Sequence, residues 1–89
     1  MAEGIIAKPT YVERLTHALE EKLKGAEVTN EQLRADRYRF EVVWRGFDEM
    51  EHPDRQRMVW DIADELLEKQ DLRKVAMILT IADDDLPKE

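Results

Sequence analysis

The segment Arg37-Tyr38-Arg39-Phe40-Glu41-Val42-Val43-Trp44-Arg45 leads through Gly46-Phe47-Asp48-Glu49-Met50-Glu51 into a helical pattern that runs from about Pro53 to about Lys69. In its first part Tyr38, Phe40, Val42 and Trp44 alternate with mostly charged residues. That period of two belongs to a strand with one dry and one wet face. Pro53 stands where a first helical residue tolerates a missing N–H, and Arg55, Val59, Ile62 and Leu66 then recur at helical spacing. A strand, a turn and an amphipathic helix in this order form the unit around which the rest of the chain must pack.

Working outward, Thr10 with Glu13 three residues later has the form of a capping box, and Val12, Leu15, Leu19 and Leu23 repeat behind it until Gly25. This predicts a first helix. Ala26 to Leu33 reads as an edge strand, with Asn30 marking a bend or bulge, and Arg34-Ala35-Asp36 turns the chain into the central strand as an antiparallel hairpin. After the second helix, Gln70-Asp71-Leu72 returns the chain to the sheet. There Val75, Met77, Leu79 and Ile81 alternate with Ala76, Ile78 and Thr80, which reads as the most buried strand. Its inward residues are expected to meet Val59, Ile62 and Leu66. A strand, helix, strand succession closes as a right-handed crossover, so the second and third strands are parallel. The predicted fold is α+β in the order α-β-β-α-β, with two helices on one face of a three-stranded mixed sheet. Its boundaries are a flexible arm over 1–9, a single domain over 10–82 and an acidic, solvated tail over 83–89.

An 89-residue chain has room for one core. Charged residues make up 39% and hydrophobic ones 43% in periodic blocks, the composition of a globular domain. Cysteine is absent, which removes disulfides, thiolate catalysis and zinc–thiolate sites together. The apolar run Val75 to Leu79 is far short of the ~20 residues needed to span a bilayer, so a cytoplasmic domain without a membrane segment is expected. His17 and His52 have no partner at metal-binding spacing, and Asp83-Asp84-Asp85 lacks the turn glycine and bidentate Glu of a calcium loop. No nucleophile–base grouping, phosphate loop or GxxG clamp occurs, so neither an enzyme nor a resident cofactor or metal is expected. The net charge of −7 opposes indiscriminate nucleic-acid binding, yet Arg34 to Arg57 is locally neutral.

The predicted order of elements, together with Tyr38-Arg39-Phe40-Glu41-Val42-Val43, Gly46-Phe47-Asp48-Glu49-Met50, Arg55-Gln56-Arg57-Met58-Val59 and Met77-Ile78-Leu79-Thr80-Ile81, resembles the BolA family. The resemblance implies a KH-like fold of the second class without the GxxG clamp. It also implies a non-enzymatic adaptor that works with monothiol glutaredoxins in iron–sulfur handling, or a transcriptional regulator. Met77 stands where the family carries a cluster-ligand His, and the hairpin loop from Asn30 to Arg37 supplies neither His nor Cys. The function this predicts is a protein-binding adaptor, monomeric or weakly dimeric, with Trp44, Phe47, Arg55 and Arg57 as contact residues beside the open sheet face. The rival is a nucleic-acid-binding regulator using Arg34, Arg37, Arg39, Arg55 and Arg57.

Overall fold

The structure is a computed structural model that describes residues 9–85. Its elements are α1 (Thr10–Lys22), β1 (Glu27–Arg34), β2 (Arg37–Val43), a 3-10 turn (Arg45–Phe47), α2 (His52–Leu66), a one-turn helix α3 (Lys69–Leu72), β3 (Val75–Ile81) and a second 3-10 turn (Asp83–Asp85). The sheet has the order β1-β2-β3, with β1 antiparallel and β3 parallel to β2. The predicted α+β architecture is therefore present, with α3 added inside the crossover. The arm expected over 1–9 lies outside the described residues except for Pro9, as does the tail beyond Asp85.

The core lies between the two long helices and one face of the sheet. Val12, Leu15 and Leu19 of α1 and Val59 and Ala63 of α2 are fully buried against Phe40 and Val42 of the central strand. Tyr11 closes one end, its ring edge-on to Tyr38 at 6.2 Å. At the other end the chain leaves α1 through Leu23 and reaches Gly25, whose φ of 88° is a left-handed conformation that favours glycine.

Several local expectations change. The Thr10/Glu13 capping box does not form: Pro9 takes the cap position, Thr10 is the first helical residue, and no side chain caps the end. The irregularity of β1 falls at Leu33, between Gln32 and Arg34, and not at Asn30. β2 ends at Val43, where Trp44 leaves the sheet. The most buried strand is the central β2, because β3 sits at an edge.

The largest correction concerns β3. Its pairing with β2 slips between Val75 and Met77, leaving Ala76 as an extra residue. A one-residue slip moves every later side chain to the opposite face. Val75, Ile78, Thr80 and Ala82 consequently face the helices, while Met77, Leu79 and Ile81 lie on the open face. A similar exchange happens at the end of α2. Leu67 leaves the helix with extended backbone and turns into the core, whereas Leu66 is only partly covered.

Candidate functional site

Arg34, Arg37, Arg39 and Trp44 belong to the sheet or its ends, whereas Phe47 is core and Arg55 and Arg57 belong to α2. Across the open face of the sheet the three-residue rows Glu31–Arg39–Met77, Thr29–Glu41–Leu79 and Glu27–Val43–Ile81 lie in register. Charge therefore gathers on β1 and β2, and an apolar stripe of Met77, Leu79, Ile81 and Val43 runs down β3 and onto β2. No described element covers it. Met77 is 42% exposed, one of two large hydrophobic residues so placed among the described residues; the other is Leu33 at 45%. These open-face apolar residues are what the sequence reading missed, since the bulge at Ala76 leaves no signal in hydrophobic periodicity.

The stripe ends at a cleft of about 540 Å³ lined by Lys24, Gly25, Glu27, Val43, Trp44, Arg45 and Asp83. Trp44 builds its wall. The indole Nε1 donates to the Lys24 carbonyl at 2.9 Å, and its ring stands edge-on to Phe47 at 5.1 Å. Gly46 lies beneath it, so closely that a Cβ there would overlap the indole. Its open mouth mixes the charges of Lys24, Glu27, Arg45 and Asp83.

Of the four contact residues expected from sequence, Trp44 is half-buried and Arg57 exposed. Phe47 is fully buried and acts as core, carrying Trp44 on one side and the Arg55 guanidinium, 5.8 Å from its centroid, on the other. Arg55 is itself occupied: Nε donates to the Met50 carbonyl at 3.0 Å and Nη1 to Asp85 at 2.9 Å. Arg57 is exposed and makes only a loose 3.8 Å pair with Asp54. Asp83 and Asp85, at the start of the tail expected from sequence, keep exposed side chains while pairing with the domain. Asp85 accepts from Arg55 and from the Ala82 N–H at 3.0 Å, and Asp83 pairs with Arg45 at 3.4 Å. The Ala82 N–H first, and then the Arg55 hydrogen bond, hold the Asp85 carboxyl below its ordinary value.

The arginines proposed for nucleic acid are not brought together. Arg34, Arg37 and Arg39 stand at the hairpin end, with Arg39 held by Glu31 at 2.6 Å. Arg55 and Arg57 stand at the start of α2, where Gln56 between them bonds the Ile78 carbonyl of β3, so they belong to the helical side of the sheet while Arg39 lies on its open face.

Among the described residues no three His, Cys, Asp or Glu side chains are grouped to hold a metal ion. His17 lies on the exposed side of α1, and His52 is exposed at the first position of α2. The hairpin end presents Arg34, Asp36, Arg37 and the Met77 thioether, a set without the thiolate or imidazole that cluster iron requires. The residues present do not fit an iron–sulfur cluster. No described helix is long and apolar enough to cross a membrane.

The domain thus has one sheet face covered by its helices and one that carries an uncovered apolar stripe. No family model matches the chain, and no curated protein matches it by sequence. Solved structures do. The BolA domain of SufE1 from Arabidopsis thaliana superposes with a TM-score of 0.70 at 17% identity, covering 90% of this chain and 100% of that one. BolA1 from Arabidopsis thaliana gives 0.66 at 17% identity with the same coverage of 90% and 100%. The fold is that of the BolA domain.

Proposed function

We propose that this chain is a diverged, non-enzymatic BolA-like adaptor of the cytoplasm that binds a protein partner across the open face of its sheet. The observation that carries this reading is the stripe Met77, Leu79, Ile81 and Val43, which runs uncovered to the Trp44 cleft. An apolar strip rimmed by charged residues is the usual anatomy of an interface, and Trp44 at its end is of a residue type that dominates binding energy. The resemblance to BolA proteins points to a monothiol glutaredoxin or a related iron–sulfur protein as that partner. With Met77 in the position of the family's ligand, this chain contributes no side chain to a cluster, and all the iron ligands come from the partner and its thiol cofactor.

The test is to titrate isotopically labelled protein with a monothiol glutaredoxin, in its apo and cluster-loaded forms. Amide shifts are expected along Val43, Met77, Leu79 and Ile81, while the visible absorption and circular dichroism of the loaded partner stay as they are alone. A cluster spectrum that changes on mixing and reverts with His17→Ala or His52→Ala would overturn the ligand assignment. Shifts confined to the helical face would overturn the surface.

A further inference from the structure

The two edges of the sheet are finished differently. On β3 the outward carbonyl of Ile78 accepts from the Gln56 side chain at 2.8 Å, and Gln56 also donates to Thr80 Oγ1 at 3.3 Å, so α2 covers that edge. The β1 edge has no such cover. Tyr38 and Trp44 donate their N–H groups to Lys74 and Ile81 beside β3, so the even residues of β2 face β3 and its odd residues face β1. In the antiparallel register Glu27–Val43, Thr29–Glu41 and Glu31–Arg39 are therefore the hydrogen-bonded pairs. Val28, Asn30 and Gln32 turn their backbone N–H and C=O groups outward, and no described residue bonds to them.

Such an edge is a template for another strand, and charge decides which strand and which register it accepts. The open-face residues of β1 are Glu27, Thr29, Glu31 and, past the extra residue Leu33, Arg34. If two copies paired antiparallel about a dyad between Val28 and Asn30, Glu27 would oppose Glu31 twice. About a dyad at Glu31, this residue would face itself. About a dyad at Asn30, Thr29 opposes Glu31 and Glu27 comes beside Arg34, so no like charges meet. The same register pairs Val28 with Gln32 and Asn30 with Asn30, which engages every outward backbone group, each pair exchanging two hydrogen bonds.

At that dyad lies a second feature. The Asn30 Nδ2 donates to Thr16 Oγ1 at 3.3 Å, while its Oδ1 is buried without a donor among the described residues. The second copy's Asn30 carries a further amide hydrogen to this point. We propose that β1 is a homodimerisation edge, joining two copies of this chain into a six-stranded sheet about a dyad at Asn30. Two short strands cover less than the ~1,200 Å² of a standard interface, so the dimer forms at high micromolar to millimolar concentration. The stripe on β3 stays free in the dimer.

The experiment is sedimentation and amide exchange of the full chain across a concentration series, with folding of each variant followed by circular dichroism. Concentration-dependent association with protection at Val28, Asn30 and Gln32 is expected. Asn30→Pro removes the edge-facing N–H and, with it, the part-buried side-chain bond to Thr16, which circular dichroism shows to be dispensable if the variant stays folded; it should leave a folded monomer. Glu27→Arg and Arg34→Glu should each weaken association roughly tenfold, and the double variant should restore it. Three results would each overturn the dimer: a monomer at every concentration with those amides exchanging freely, association unaffected by Asn30→Pro, or a charge swap that fails to rescue. Protection that appears only with the glutaredoxin present would assign the edge to a different partner and equally overturn it.

Discussion

The Arg55 guanidinium meets the Asp85 carboxylate at 2.9 Å with its own side chain only 13% exposed, joining the start of α2 to the turn that follows β3. Arg55 also lies over the Phe47 ring and holds the Met50 carbonyl, so one side chain ties the turn before α2 to the turn after β3. A residue chosen from sequence as a contact is thereby a clamp.

The clamp has a pH signature. The folded-state pKa of Asp85 lies below its ordinary 3.8, chiefly through the Ala82 N–H and then through Arg55. Its contribution to stability is accordingly present above the ordinary value and lost as pH falls through the folded one. Asp85→Asn should lower the melting temperature at neutral pH, and the two melting curves should converge in acid. Parallel curves at all pH values would show that the pair contributes nothing.

Gly46 is required by the Trp44 indole packed on it. Gly46→Ala should displace that ring, breaking its bond to the Lys24 carbonyl and costing about 1 to 3 kcal/mol through overpacking. In a Trp60→Phe background, a red shift of the remaining tryptophan emission with a lower unfolding midpoint is expected.

Leu67 and Leu66 should respond oppositely to what helical spacing suggests. Leu67→Ala empties a core position and should cost roughly 2 to 5 kcal/mol. Leu66→Ala, at a partly covered site, should cost roughly 1 kcal/mol. Denaturant midpoints of the pair decide the assignment, and equal losses would refute it.

Met77→Glu should separate binding from folding. The side chain is exposed at an edge strand, so the change should stay within about 0.5 kcal/mol in stability. Partner affinity in a titration calorimeter should nevertheless fall, because a charge enters the apolar stripe.

Random duplex DNA should bind weakly at physiological salt. A chain with net charge −7 spreads its arginines over several elements and pairs Arg39, Arg45, Arg55 and Arg57 with carboxylates. Tight binding that drops by about 0.9 log units per log unit of salt for each phosphate contacted, and is lost in Arg34→Ala/Arg37→Ala, would instead identify a basic DNA surface.

Legibility of the fold and of the site differed for one reason. Tyr38, Phe40 and Val42 alternate without interruption, and their strand was readable because its neighbours on both sides enforce the period. In β3 the apolar residues occupy both phases, so sequence offered no way to say which set faces the helices. The same ambiguity hid the open-face stripe, and the aromatic and Arg content that marked Phe47 as a contact could not reveal that Phe47 is buried.

By itself the sequence determined the element order, the strand–turn–helix centre, the parallel crossover and the absence of thiolate chemistry, because periodicity, chain handedness and composition are local properties. Only the tertiary structure decided the phase of β3, the exchange of Leu66 for Leu67, the withdrawal of Phe47 and Arg55 into the domain, and the free edge of β1. Each of these depends on a bulge or a contact between residues far apart in the chain, where packing chooses among alternatives that local pattern leaves equal in energy.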